Sequence, residues 1–387
     1  MSTSDGRALP AADGEHSLLA RDDTGRAAAV VRAVRHPAAP PDAPQPAVLT
    51  ARGGTAAPGG VWRPGGARVT ETVTTCPDTE TFVHPALFYR DLDEYVRETG
   101  SFVRGALAAD EPVLVAVPGP HLDALREDLG PEAAAVDFAD MTELGRNPGR
   151  ILAALHGFAD QHPGRAARII GEPIWAGRSP AEIREATRHE ALVNAAFTDR
   201  RATILCPYDT ATLPAAVLDD ARRTHPTVIE DRHVRSSPAY VRADVVCADC
   251  DLPLPEPAAA DVELEYTGGR LGEVRERADA WVRGTRLSPL RRGDFVIAVN
   301  EAAANSVAHG GGSGLLRLWT SDLGTAVAEI RDGGRLANPL AGRRRPSLAS
   351  SDGGRGLWMI HQLCDLVEVR AQDTGLTLRL HISPTPA

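Results

Sequence analysis

The chain has 387 residues, a length that sets a prior of two to three domains and excludes a minimal peptide. Lys and Arg total 42 against 52 Asp and Glu, so the formal charge is −10, and no global basic field exists to attract nucleic acid or an anionic membrane. With 43% hydrophobic and 24% charged residues the balance is that of a soluble globular protein.

Residues 1–75 are dominated by Ala, Gly, Pro, Arg and Asp, and such a stretch cannot bury enough apolar surface to offset the entropy of ordering. A disordered tail is expected there. Its start lacks the charged and apolar regions of a secretion signal, no apolar run approaches the 18 or so residues that span a bilayer, and five scattered cysteines make no disulfide framework. These features predict a cytoplasmic protein.

Residues 76–250 alternate helical and strand patterns. LFYRDLDEYVRETGSFVRGALAAD repeats Leu92, Tyr95, Val96, Phe102, Val103 and Leu107 at helical intervals, and the β-branched run PVLVAVPG follows it. ILAALHGFADQH predicts a helix, ARIIGEP a strand, SPAEIREATRHEALVNAAF a helix opened by Ser179 and Pro180, and RATILCPYD a strand. Helices alternating with short buried strands predict an α/β domain with a mostly parallel sheet covered on both faces. Cys247-Ala248-Asp249-Cys250 has the spacing of half a zinc site or of a dithiol switch, but no second close Cys or His pair completes the former and the motif opens no helix as the latter would.

The prolines of residues 251–260 (DLPLPEPAAA) mark a linker. Residues 261–387 then predict a strand, two helices parted near Ser288 and Pro289, and two hairpins turning near SDLG and QDTG, an α+β unit. On the second helix Glu301 and Asn305 stand at i and i+4 and project together. A carboxylate beside a carboxamide suits a magnesium nucleotide site: the amide oxygen can ligate the metal and the carboxylate can polarise a nucleophile. Asp332-Gly333-Gly334 places an acceptor carboxylate at a strand end beside backbone that tolerates close approach, and Gly354-Arg355-Gly356-Leu357 leads into an apolar helix whose free N–H groups can face phosphate.

These pieces, in this order, resemble the GHKL (Bergerat-fold) ATPases, and more narrowly the RsbW-like anti-sigma-factor serine/threonine kinases. Glu301 to Asn305 resembles the N box, which implies Glu301 as catalytic base and Asn305 as magnesium ligand. Asp332 and Gly334 resemble the G1 box, in which the aspartate accepts from the adenine amino group; Gly354, Arg355, Gly356 and Leu357 resemble the G2 box at the phosphates, and Thr377 stands where the family has a late threonine near adenine. One departure is Leu336, where the G1 box usually has a further glycine. The intervening RLANPLAGRRRPSLASSD would be the lid, with Arg343, Arg344 and Arg345 set to reach phosphates or a partner's acidic groups, or else forming a solvated basic loop.

The middle region resembles the MEDS sensory domain, through His84-Pro85-Ala86-Leu87-Phe88-Tyr89, Glu172-Pro173-Ile174-Trp175, Glu190-Ala191-Leu192-Val193-Asn194 and Cys206-Pro207-Tyr208-Asp209. That resemblance implies a small-molecule signal. His84, Glu190, Cys206, Tyr208 and Asp209 are the candidate sensory residues, near strand ends or on sheet-facing helices where pockets of open α/β sheets form; taken singly, each also reads as a satisfied or packed core residue.

Together the expected fold is a disordered tail, a mostly parallel α/β sensory domain and a C-terminal GHKL (Bergerat) α/β sandwich. The expected function is an anti-sigma factor with ATP- and Mg2+-dependent serine/threonine kinase activity on an anti-sigma-factor antagonist. The implied partners are a sigma factor and that antagonist, with a homodimer implied by the family and no nucleic acid or membrane. The alternatives are a non-catalytic ATP-binding module for partner capture and a sensor histidine kinase; residues 258–308 hold no histidine to accept phosphate in the latter case.

Overall fold

Apolar runs short enough for strands, each followed by an amphipathic segment, build the first layer of the fold. The computed structural model describes residues 82–346 and 355–384; the expected tail and Gly354 lie outside the described residues. In chain order the elements are β1 (Pro85–Tyr89), α1 (Leu92–Ala108), β2 (Val113–Val117), α2 (Gly119–Leu129), β3 (Asp137–Asp140), α3 (Met141–Leu144), α4 (Ile151–Gln161), β4 (Ala167–Gly171), α5 (Pro180–Ala196), β5 (Ala202–Asp209), α6 (Ala215–Thr224), β6 (Thr227–Glu230), β7 (His233–Ser236) and α7 (Ala243–Cys250). The strands form one sheet in the order β3-β2-β4-β5-β1-β6-β7, parallel except for the antiparallel edge pair β6 and β7.

Period-two alternation divides each central strand between two cores. Ala86, Phe88, Ile169, Ile204 and Cys206 enter one core, whereas Leu87, Val115, Ile170 and Leu205 enter the other. One expectation needs correction. Leu87, Phe88 and Tyr89 do not open a helix; they belong to β1, which is paired on both sides by β5 and β6 and buried on both faces. The helix starts only after Asp91, whose carboxylate accepts from the Glu94 N–H at 2.8 Å.

The second sheet contains β8 (Val262–Thr267), β9 (Ser313–Thr320), β10 (Ala326–Asp332), β11 (Leu366–Gln372) and β12 (Gly375–Ile382), antiparallel in the order β11-β12-β10-β9-β8. Three helices, α8 (Leu271–Val282), α9 (Pro289–His309) and α10 (Arg355–Leu363), pack on one face, where Leu316, Ala328, Ile330, Leu378 and Leu380 meet Val274, Val299, Ala303 and Ile360. Alternation sends Arg317, Glu329, Arg331, Glu368, Arg370 and Arg379 to the opposite face. Part of that charged face is roofed by residues 251–260, through Glu256 to Arg317 and Arg331 and through the Pro255 carbonyl accepting from Arg379.

The rest of that face receives α5. Its start is fixed by a reciprocal capping box between Ser179 and Glu182. An ordinary surface helix exposes its polar residues, yet Glu185, Arg188, His189 and Glu190 are all buried here. The cause is that α5 has cover on two sides: the parallel sheet on one and β11 of the antiparallel sheet on the other, within one compact unit. No helix among the described residues is long and apolar enough to cross a membrane.

Candidate functional site

Helix α9 carries the acidic pair. Ser288 accepts from the Arg291 N–H at its start, Pro289 opens it, and Gly310 ends it just after His309. Glu301 and Asn305 are half-buried on its exposed side, while Ala298, Ala302 and Ala303 are buried. The first turn of α10 comes directly onto this pair: a methyl group at Gly356 would lie 2.8 Å from Glu301 Oε2 and 3.3 Å from Asn305 Oδ1. Glycine is therefore what lets the helix entrance approach the carboxylate and amide. Arg355 opens α10 and is exposed.

Asp332, at the end of β10, lies against the other end of α9. Its Oδ2 accepts from the Ser306 hydroxyl at 2.6 Å and its Oδ1 from the Gly334 N–H at 2.8 Å. Each oxygen keeps a lone pair for a further donor. Two glycines permit this approach: a Cβ at Gly310 would sit 2.4 Å from Asp332 Cγ, and one at Gly334 would sit 2.7 Å from Asp332 Oδ1. The structure thus gathers Glu301, Asn305 and Gly356 at one point of α9, and Asp332 and Gly334 near its C-terminal end.

Two sequence-singled residues stand apart from this gathering. Asp332 is in register with Leu376, whereas Thr377 faces Arg331 and Arg370 and so lies on the opposite, charged face of the sheet. Leu357 turns into the core and against Gly342, where a Cβ would be 2.6 Å from Leu357 Cγ. Leu336, the departure from the G1 pattern, packs half-buried on the same core.

The segment after Gly334 turns toward the parallel sheet. Leu340 packs against the core of that sheet, Arg343 is 3% exposed with its guanidinium 3.4 Å from Glu185 of α5, and Arg344 donates to the Ala196 carbonyl at the end of α5. Arg343 and Arg344 are thus taken up by α5 and do not point to Glu301; Arg345 is exposed. Glu185 also pairs with Arg370 of β11 at 2.5 Å and with Arg188 at 3.5 Å. Nearby, Asn147 donates to the carbonyl of His361 in α10 at 3.0 Å, and Gly149 lies so near the His361 ring that a Cβ would be 2.1 Å from Nδ1. Burial, followed by the Arg343 charge, pushes the His361 pKa well below its usual value.

In the parallel-sheet domain, His84, Glu190 and Cys206 come together, joined by His225 at the end of α6. All four are buried, at 0–2% exposure. Burial, then the neighbouring His225, pushes His84 down to about 4 against the pull of Glu190. Burial raises the Cys206 thiol. Tyr208 lies beside the cluster, its ring 5.6 Å from that of His225 and its hydroxyl next to the Glu190 carboxylate.

Asp209 belongs elsewhere, capping the turn after β5 through Ala211 N–H and Thr212. Its neighbours at the carboxyl ends of the parallel strands are Tyr89, which donates to Glu172 at 3.1 Å, and His121, 2.8 Å from the same carboxylate. Burial raises the Glu172 pKa there, against the lowering contacts of His121 and Tyr89. Sequence reading missed His225 and Glu185, and it gave Ser306, within the N-box match, and Gly310, beside the end of α9, no part in holding Asp332. Only Ser306 and Gly310 carried a signal, being one residue past Asn305 and the glycine that stops α9.

Comparison with known families divides the chain at the same two sheets. Residues 83–226 match the MEDS family (MEthanogen/methylotroph, DcmR Sensory domain), and residues 264–382 match the histidine kinase-like ATPase domain. The chain carries a MEDS domain followed by a histidine kinase-like ATPase domain. No curated protein matches it. Among solved structures it is similar to the RsbU and RsbW domains of Rv1364c from Mycobacterium tuberculosis, at 19% identity and a TM-score of 0.24 over 32% of this chain and 32% of that one. It is also similar to the ATPase domain of G40P, at 11% identity and a TM-score of 0.26 over 39% of this chain and 68% of the other. The chain thus spans about a third of the length of the first of these, and at such scores neither similarity adds to the assignment.

Proposed function

We propose that the protein is a cytoplasmic, ATP-dependent regulator: its histidine kinase-like ATPase domain holds a sigma factor and phosphorylates a serine or threonine of an anti-sigma-factor antagonist, under control of the MEDS domain. The observation that carries this reading is the approach of Gly356 onto Glu301 and Asn305, with Asp332 held against the end of the same helix. A glycine there brings the N–H groups of a helix entrance close to the carboxylate and amide, where a phosphate and its metal can be held together. The donor set also fits magnesium ATP, because an amide oxygen suits a hard cation. Bound there, magnesium ATP would supply the transferable phosphoryl group.

The roles of the chain's own residues follow from their chemistry. Asn305 offers its amide oxygen to the metal. Glu301 orients the acceptor hydroxyl and takes its proton. Asp332, already fixed by Ser306 and the Gly334 N–H, keeps lone pairs for the adenine amino group. Arg355 and Gly356 lie on the phosphate side, to which the motif also assigns Gly354. Control would run through α5, which bears Glu190 in the sensory cluster and Glu185 at the root of the lid. Transfer of labelled phosphate from ATP to a purified antagonist, by wild type and by Glu301→Ala, tests the assignment; equal transfer by the two would remove Glu301 from catalysis.

A second reading, nucleotide binding without transfer, is favoured by one observation. Arg343 and Arg344 are committed to α5, so neither supplies positive charge at Glu301. Stoichiometric ATP binding with no transfer to any antagonist would decide for that reading. Light scattering with and without the sigma factor tests the homodimer and the partner together.

A further inference from the structure

The cluster of His84, Glu190, Cys206 and His225 has a hydrogen-bond count that does not close. Asn194 donates its amide N–H to the Thr224 carbonyl at 2.8 Å, which turns its oxygen toward His84 Nδ1 at 3.1 Å. The Nδ1 of His84 therefore carries the proton. His225 Nδ1 lies 2.8 Å from the Ala221 carbonyl, an acceptor only, so it too carries its proton on Nδ1. The Nε2 lone pairs of both rings then face the same carboxylate oxygen, Glu190 Oε2, at 3.2 and 3.5 Å.

Acceptors facing acceptors repel unless something positive lies between them. The Cys206 thiol can give one proton, and it lies 3.4 Å from Glu190 Oε2 and 3.3 Å from His84 Nε2. That leaves His225 Nε2 buried without a partner, and Glu190 Oε1 without a formed bond although the Tyr208 hydroxyl lies beside that carboxylate. From these unpaired donors we propose that the MEDS domain holds a zinc-class divalent ion through His84 Nε2, His225 Nε2, Cys206 Sγ and Glu190.

Distances agree with this assignment. A tetrahedral zinc site with bonds of about 2.0–2.3 Å to N, O and S has ligand-to-ligand edges of about 3.3–3.6 Å. Four of the six edges run from 3.2 to 3.5 Å, and the two others, from His225 to His84 and to Cys206, lie within 4.8 Å. Charge agrees as well: two neutral imidazoles, one thiolate and one carboxylate sum to −2, which a divalent ion cancels in a site where uncompensated charge is costly. The Nδ1–H bonds to Asn194 and Ala221 are the outer contacts that orient metal-bound histidines. A mixed nitrogen, sulfur and oxygen set selects zinc over calcium or magnesium.

Because the donors come from β5, α5, the approach to β1 and the end of α6, the ion would be enclosed as the domain folds. The assignment does not depend on the nucleotide reading: a chain that ignored ATP would still hold the metal.

The test uses the full chain, purified without chelators or a metal-affinity tag, with metal measured after complete denaturation. About one equivalent of zinc per chain is expected, falling at least tenfold in Cys206→Ala and in His225→Ala and unchanged in Cys247→Ala. Refolding wild type with Co2+ should give the intense visible bands of tetrahedral cobalt with a sulfur-to-metal charge-transfer band. Wild type that holds well under one equivalent, both as purified and after refolding with zinc, overturns the proposal whatever the variants do. Metal lost in Cys247→Ala but kept in Cys206→Ala also overturns it.

Discussion

Replacing Glu185 by alanine should expose how firmly the two domains are joined. The carboxylate is 1% exposed and faces three arginines: Arg370 at 2.5 Å, Arg343 at 3.4 Å and Arg188 at 3.5 Å. Arg370 keeps Glu368 at 3.1 Å and Arg188 keeps Asp251 at 2.9 Å, but Arg343 has no other carboxylate partner among the described residues. One buried guanidinium is thus left uncompensated, which costs about 3–5 kcal/mol. At a urea m-value of about 3 kcal/mol per molar, the midpoint of the joint unfolding transition falls by about 1–1.7 M. Arg343→Met in the same chain removes the stranded charge, so the double variant should recover at least 1 kcal/mol of the loss. Circular dichroism and tryptophan fluorescence against urea measure both quantities. A midpoint moved by less than about 0.2 M, with strictly additive variants, would refute the claim that Glu185 holds Arg343 and its segment against α5.

Three further outcomes are expected. Gly356→Ala should leave stability unchanged or raise it by up to about 1 kcal/mol through helix propensity, while its methyl, 2.8 Å from Glu301 Oε2, lowers ATP affinity at least tenfold in calorimetry; retained affinity would contradict the cradle. Ser306→Ala removes the 2.6 Å bond to Asp332, a charge-assisted contact of about 1.5–3 kcal/mol, and should narrow the preference for ATP over GTP in competition binding, which an unchanged ratio would disprove. His156 is pushed to about 4 by burial and then by Arg344 and Arg200, and His361 lies well below its usual value, so the unfolded chain takes up protons that the folded one refuses. Stability is complete above about pH 6.5 and falls as pH drops toward 4, by about 1.4 kcal/mol per pH unit for each histidine. Urea titrations at pH 7.5 and 5.5 on wild type and His361→Gln check this, and a slope unaltered by the substitution would contradict it.

Local chemistry made much of this fold readable. Ser179 and Pro180 announced α5, Ser288 and Pro289 announced α9, and both hairpins turn where Asp-Leu-Gly and Asp-Thr-Gly stand. The Glu301 and Asn305 pair was visible because an i, i+4 spacing fixes a shared side without tertiary information. What stayed hidden depends on distant partners. β1 was read as helix because Leu87, Phe88 and Tyr89 run straight into a helical repeat, and only pairing with β5 and β6 makes them a strand. The buried charges of α5 gave no warning, since Glu185 meets Arg343 and Arg370, 158 and 185 residues away. Thr377 was placed near the candidate site by motif, and register alone puts it on the other face. His225 follows a helix with no motif about it, and it enters the cluster only through the packing of α6 beside α5.

Titration calorimetry of the purified chain with magnesium ATP and, separately, magnesium GTP probes the nucleotide site directly, with Asp332→Asn as the companion variant. The expected result is one saturable site for the adenine nucleotide, weak or absent binding of the guanine nucleotide, and loss of that discrimination in the variant. Wild-type protein that takes up neither nucleotide, or both alike, would contradict the assignment of Glu301, Asn305, Asp332 and Gly356 to an adenine-nucleotide pocket.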